Sequence, residues 1–282
     1  MTITTPHCKM SKQKRNTLWR QGHILPQEVA QCLCLKDLPL QKEDLLVVIS
    51  HGCDLANEQE SYLEVVIGRQ IPSMDGNFTH AKNVRKLHLE FQSESGQTLC
   101  LELCVDKHKL LKTNLINYQP RHEFQLEYKE CATLQRWLVA RYKRSAFPEA
   151  FNKRLTASGL DKKLSKIVSP LGSFIIAILF DLDDGQSIER LDDDPYVLDI
   201  TVLYTGDDYE EAKNAARIAK TKIEKDFEQC LKSREGHWQN IELRDCRTVS
   251  EEALSYKAWK LLKPWRLEHI SLREDQLQPM LD

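Results

Sequence analysis

Leu45-Leu46-Val47-Val48-Ile49-Ser50-His51-Gly52-Cys53-Asp54 is the stretch on which the fold turns. Its first five residues are apolar without interruption. A run that does not alternate belongs in the interior of a sheet or barrel, with both faces covered. It halts at a polar loop, where Asp54 or Asn57 is placed to cap a turn or a short helix. Tyr62 to Ile67 reads as a second strand that pairs back on the first.

Working outward, Leu87 to Phe91 and Thr98 to Val105 alternate apolar and polar residues around the turn Ser93 to Gln97, a β-hairpin pattern. On the other side, Trp19-Arg20-Gln21-Gly22-His23-Ile24-Leu25-Pro26 opens the ordered part, and residues 27–44 are mixed, with a short helix or an extended excursion. Residues 18–130 therefore read as a mostly β module preceded by a flexible basic arm, residues 1–17. At Cys131 the period changes to helical: Leu134, Trp137, Leu138 and Tyr142 share a face, and Phe151 and Leu155 continue in a second helix after Phe147-Pro148. Residues 131–168 form this helical connector. Residues 169–282 read β-β-α-β-α: strands at Phe174 to Phe180, Tyr196 to Tyr204 and Asn240 to Cys246, a long helix from Tyr209 to Cys230, and a helix from Ser250 to Leu262. Asp207 and Glu210 form a capping-box-like start to the long helix. The expected class is α+β: an N-terminal SH3-like β-barrel, a helical connector and a small C-terminal α/β sandwich.

The chain has 282 residues, 41% hydrophobic and 29% charged, which is ordinary for a soluble protein of about two domains. No apolar run approaches the ~18–20 residues of a membrane helix, and the basic, polar start lacks the apolar core of a secretory signal. The nine cysteines are odd in number and irregular in spacing, and no Cys/His tetrad has zinc-finger spacing. They read as reduced thiols of a cytoplasmic protein, with no cofactor. A metal held by distant ligands such as His51, Cys53 and His80 is the alternative. The net charge of −2 hides an asymmetry: Arg136 to Ser169 holds nine Lys/Arg against two acids, and Asp181 to Glu211 holds twelve Asp/Glu against one Arg. The basic segment can bind phosphates; alternatively the two segments meet and neutralise each other.

Three clusters carry chemistry. His51, Cys53 and Asp54 stand at the end of a buried strand; a His beside a Cys can generate thiolate, the reactive form. The alternative is that Cys53 fills space and Asp54 caps a turn. His80, Asn83, Arg85 and His88 form a polar patch able to hold a metal or a phosphate, or else a solvated loop entering the hairpin. Arg141, Lys143 and Arg144, between Trp137 and Phe147, interleave charge with aromatics as single-strand binders do. Otherwise the aromatics of that helix face the core.

Trp19 to Ile24, Leu46 to Ser50 and Leu63 to Ile67 together resemble the strand layout of the MazF/PemK-like toxins, SH3-like barrels that cleave RNA. The resemblance spans residues 18–71. His23 stands where that family has an acid, and Asp44 or Leu45 where it has the arginine and proline before the second strand. Ser50-His51-Gly52 resembles the histidine motif of caspase-like cysteine peptidases, for which Asp245-Cys246 is the candidate nucleophile position. The Arg-Gln-Gly start, the Val47 to Leu55 core, Lys82-Asn83-Val84-Arg85 and Arg141 to Pro148 resemble bacterial proteins of mobile-element and phage-defence neighbourhoods.

These readings combine into a cytoplasmic bacterial defence or toxin-type component that binds or cleaves nucleic acid, RNA more than DNA. His51, Cys53 and Asp54 are its candidate catalytic residues, and Arg20, Asn83, Arg85, Arg141 and Arg144 its candidate nucleic-acid contacts. The alternatives are a non-enzymatic adaptor for a protein partner from the same operon, and a caspase-like cysteine peptidase.

Overall fold

The computed structural model of the chain describes residues 17–26, 29, 44–140, 142, 147–186, 188–191 and 194–265. The basic arm lies outside the described residues except for Thr17. The mixed stretch 27–44 does too, except for Val29 and Asp44, as do Arg141 and Arg144.

The architecture is α+β. Its N-terminal half is one antiparallel sheet of β1 (Leu45–Val48), β2 (Tyr62–Gln70), β3 (Lys86–Gln92), β4 (Thr98–Leu111) and β5 (Gln125–Leu126), in the order β1-β2-β4-β3-β5. β1 is buried on both faces. Leu45 and Val47 pack with Leu87, Leu89, Phe91 and Leu101, while Leu46 and Val48 pack with Trp19, Leu25, Leu63 and Val65. This double burial is why the run does not alternate. The outer edge of β1 is covered by the chain before it. Gly22 N donates to Val48 O (2.8 Å), Val48 N to His23 O (2.8 Å) and Leu25 N to Leu46 O (2.9 Å). Arg121 N, just before β5, then donates to Ile24 O (3.0 Å). The sheet thus curls into a half-barrel. The Leu87 to Val105 hairpin forms in register, Leu87 against Leu103 and Phe91 against Leu99.

Between β1 and β2 lies the short helix α1 (Gly52–Ala56). Helix α2 (Tyr128–Ala140) lays Leu134 and Trp137 on the barrel core, where a fully buried side chain stabilises by roughly 1.5–3 kcal/mol. Helices α3 (Glu149–Ala157) and α4 (Leu160–Val168) instead bury Phe151, Leu155, Leu160, Leu164 and Val168 in the C-terminal core. The helical stretch is therefore divided between the two halves, α2 with the first and α3–α4 with the second.

The C-terminal half is a mixed four-stranded sheet, ordered β8-β7-β6-β9, of β6 (Ile175–Leu182), β7 (Tyr196–Tyr204), β8 (Ile241–Ser250) and β9 (Lys263–Pro264). β6 and β7 are antiparallel; β7 and β8 are parallel and joined through α5 (Tyr209–Leu231). α5 buries the stripe Ala212, Ala216, Ala219, Ile223 and Phe227 against one face of the sheet. Helix α6 (Tyr256–Leu261) follows β8, and its flanking residues Leu254 and Leu262 pack with Ile176, Leu179 and Leu203 in a small cluster on the other face.

Two element readings are corrected. The residues from Ser250 do not begin a helix: β8 runs to Ser250 beside Tyr204, and α6 starts at Tyr256 behind the cap Ser255, whose side chain accepts from Ala258 N (3.2 Å). The capping box at Asp207 does not form. The cap position is Asp208, left-handed at φ 47°, and the Asp207 carboxylate pairs with Lys129 Nζ at 2.6 Å, linking the halves.

The charged segments do meet, through backbone more than through opposed charges. Arg154 on α3 donates to the carbonyls of Leu191 (2.5 Å), Asp194 (2.8 Å), Asn240 (3.0 Å) and Arg190 (3.4 Å), and its guanidinium lies 4.9 Å from the Tyr196 ring centre. Glu189 accepts from the first amides of α3, Glu149 N (2.5 Å) and Ala150 N (3.0 Å), as favoured at a helix N-terminus. The acids are neutralised chiefly by Arg190, on Asp183 and Asp194, and by Arg244, on Asp184 and Asp199. Among the described residues no helix is long and apolar enough to cross a membrane.

Candidate functional site

The His51-Gly52-Cys53-Asp54 turn is the exposed start of α1. Ser50 Oγ accepts from Glu64 N (2.7 Å), and His51 Nδ1 accepts from Cys53 N (3.3 Å), capping the helix. Lys112 Nζ, just past β4, donates to the carbonyls of Asp54 (2.5 Å) and Asn57 (2.8 Å). These contacts serve a turn: the ring nitrogen facing Cys53 is engaged by its backbone amide. Among the described residues no group of three His, Cys, Asp or Glu is arranged to hold a metal ion.

Arg20 donates from its guanidinium to the carbonyls of Thr17 (2.6 Å) and Trp19 (2.7 Å). Its own amide donates to His23 Nδ1 (3.0 Å), and burial with the Arg20 charge beside it holds the His23 imidazole down to about 4.

The loop from Asp75 to Arg85 is the departure from sequence expectation, because it is buried rather than solvated. Asn83 Oδ1 accepts from Arg85 N (2.8 Å) and Lys86 N (3.0 Å), setting the entry to β3. His88 Nδ1 accepts from Asp75 N (3.0 Å), so its proton sits on Nε2 and points at Glu102 Oε2, 3.2 Å away. That bond holds the Glu102 carboxyl below its usual range. His80 and Ala81 are both left-handed, at φ 53° and 59°, a conformation that side chains beyond glycine adopt rarely.

This loop makes the contact between the halves. Gly76 N donates to Ser169 O (3.1 Å), Ser169 Oγ to Asp75 Oδ1 (2.9 Å), and the Gly76 backbone lies directly on that of Gly172. Lys82 is 7% exposed, and its ammonium nitrogen lies 2.8 Å from Gly76 O, 2.8 Å from Thr79 Oγ1 and 3.2 Å from Gly172 O. Burial holds the Lys82 amine down to about 7, against a smaller opposing pull from Asp75. Burial, and then the Lys82 charge, hold the His80 imidazole down to about 3.

Two hollows flank this contact, and His80 lines both. The first, of about 410 Å³, is acidic, with Glu90, Glu127 and Glu130 facing His88. Burial and the neighbouring Glu90 push the Glu130 carboxyl up to about 7. The second is a groove of about 370 Å³ between α2 and the C-terminal half, with Val139, Ile176, Trp259 and Trp265 as apolar walls. Among the described residues its ionisable lining is Lys82, Arg136 and His80, with no acid. Trp259 is 41% exposed at its edge.

His51 caps α1 and Cys53 and Asp54 stand in its first turn; Arg20 lies on the segment alongside the end of β1, where Gln21 Nε2 donates to Ile49 O (2.7 Å); Asn83 and Arg85 stand at the entry to β3. The groove brings together His80, Lys82, Arg136 and Trp259, while Glu130 lines the acidic hollow. His80 and Lys82 stood in the polar patch already singled out and Arg136 opened the basic segment; Glu130 carried no signal beyond its helix. Trp259 carried one that went unread, the spacing Lys257, Trp259, Lys260, Lys263. Comparison of the chain with known protein families, with curated proteins and with solved structures finds no match.

Proposed function

We propose that the chain binds single-stranded nucleic acid in the groove between α2 and α6, as a component of a bacterial defence or toxin-type system. The observation that carries the reading is the groove's composition: tryptophan and aliphatic walls, the Arg136 guanidinium and, among the described residues, no acid. A base stacks on an indole whatever its sequence, at about 1–3 kcal/mol, and cations beside it receive the phosphates. Lys257 and Lys260 flank Trp259 on α6. The preference for RNA and the closed SH3-like barrel are the finer parts of the proposal. They are supported by the resemblance over residues 18–71 and by the Gly22 to Leu25 segment lying along β1. Binding has more support than cleavage, since His51 is occupied as a helix cap.

The test is titration of labelled single strands, RNA and DNA, across a salt series. Expected are salt-dependent binding, a loss of about tenfold for Trp259→Ala, and a smaller salt slope, by about one, for Arg136→Gln. Absence of binding at low salt would overturn the reading.

The adaptor reading is favoured by one observation: Tyr256 is 75% and Leu261 60% exposed on α6. Under it, Tyr256→Ser with Leu261→Ser abolishes cellular function while nucleic-acid binding is absent or unchanged. The peptidase reading finds less support: the Cys246 thiol is buried, and burial pushes it up to about 12, the opposite of an activated nucleophile.

A further inference from the structure

On one side the C-terminal sheet ends at a long strand whose outer edge is open. Among the described residues β7 is the strand neighbour of β8, and no loop hydrogen-bonds to the backbone from Glu242 to Val249. Such an edge offers a row of N–H and C=O groups to another strand. We propose that β8 is a self-recognition edge, which pairs antiparallel with β8 of a second copy of this chain. The inference stands whether or not the groove binds nucleic acid.

The charges on the edge select the partner. Cys246 is buried in the C-terminal core beneath α5, so Asp245 and Arg247 lie on the opposite, open face, and both are exposed. Asp245 makes no ion pair or hydrogen bond among the described residues. Arg247 uses only Nε, on Thr201 Oγ1 at 3.1 Å. Arg244, by contrast, is already held by Asp184 and Asp199. An acid and a base two residues apart, on one face of an open edge, are thus left without a counter-charge.

Symmetry then fixes the register. Two copies of one strand pair antiparallel about a two-fold axis perpendicular to the sheet, which sets each residue opposite one on the same face. Centred on Arg244, Asp245 or Arg247, the axis sets that charge against itself, which destabilises. Centred on Cys246, it sets Asp245 of each copy opposite Arg247 of the other, twice. The bulge that inserts Arg244 opposite the step from Leu198 to Asp199 lies just outside these pairs. Centres nearer the strand ends pair fewer residues. Charges on an edge ordinarily keep other strands away; these do so in each central register except the one a second copy supplies.

The groove stays open in this arrangement. Its C-terminal wall includes Ala177 on β6 and Pro264 on β9, at the opposite edge of the sheet from β8. The dimer therefore carries two grooves on its outer edges, and a ligand long enough to span both is held twice.

The test is sedimentation equilibrium of the full chain without nucleic acid, from about 1 µM to about 300 µM, the range of weak association. The wild type is expected to move from 32.8 kDa toward twice that mass as concentration rises. Asp245→Arg and Arg247→Asp each set like charges opposite one another and are expected to weaken the dimer about tenfold. Asp245→Arg combined with Arg247→Asp is expected to return it to within about threefold of the wild type. A wild type that stays at 32.8 kDa throughout overturns the proposal. A dimer that both single variants leave intact does so too, as does a double swap no tighter than the singles. Should a single variant melt early, Asp245→Asn is expected to weaken the dimer about threefold, and an unchanged dimer overturns the proposal equally.

Discussion

Gly76 and Gly172 meet backbone to backbone, with the Cα of each standing where a side chain on the other would have to go. The Gly76 amide bonds to Ser169 O, and the Gly76 carbonyl receives Lys82, so neither strand can retreat without giving up buried polar contacts. Gly172→Ala is therefore expected to destabilise the protein by about 1–3 kcal/mol or more, the range for overpacking. Denaturant unfolding measures it. A cost under 0.5 kcal/mol would show that the joint is slack.

Glu130 keeps a proton in the folded state that the unfolded chain releases between 4.5 and about 7, so stability falls as pH rises through that window. Glu130→Gln removes this dependence. The variant is expected to match the parent below pH 4.5 and to exceed it above pH 7 by about 1–2 kcal/mol, allowing for solvent screening. His80 has the opposite sense: its folded value is lowered, so stability falls as pH drops from 6.5 toward 3. Thermal melts from pH 4 to 9 resolve both limbs, and a Glu130→Gln profile parallel to the parent would refute the assignment.

Arg154 joins α3 to the 190–194 loop and to Asn240. A methionine there leaves buried carbonyls without donors, at about 3 kcal/mol or more. Arg154→Lys is expected to recover under half of that, because an ammonium cannot reach all four acceptors and also stack on Tyr196. Full recovery by lysine would mean that charge alone matters.

His51→Ala removes a helix cap and is expected to cost about 0.5–1 kcal/mol, whereas Cys53→Ala, at an exposed position, stays within about 0.5 kcal/mol. Both variants are expected to retain nucleic-acid binding and cellular function. Loss of cellular function in Cys53→Ala at unchanged stability would restore a catalytic role to that turn.

Much of the strand layout was legible because burial writes itself into side-chain order. The continuous run at Leu45 marks a strand covered on both faces, and the alternation from Leu87 to Val105 marks a hairpin covered on one. The site was far less legible. Lys82 lies in a polar, basic run, and such a run reads as solvated unless one knows that Gly172 will close over it. Residues so far apart in sequence leave no local trace of their meeting. Strand β8 was read as ending at Cys246 for a related reason: the β-branched Thr248 and Val249 belong to an edge of the sheet that forms only once α5 has brought β8 alongside β7. The cap of α5 was misassigned because Asp207 and Asp208 are chemically alike, and the choice is made by Lys129 on the other half.

Among the described residues the chain passes from one half to the other once, between α2 and α3, while each half keeps a core of its own. Severing the peptide there interrupts neither sheet. Two separately expressed fragments, one ending after Ala140 and one starting near Phe147, have the complementary surfaces to reassociate through Gly76, Lys82 and Gly172. The molecule is thus suited to split-reporter use, with restored association reading out the integrity of a joint built from a few backbone atoms and one amine.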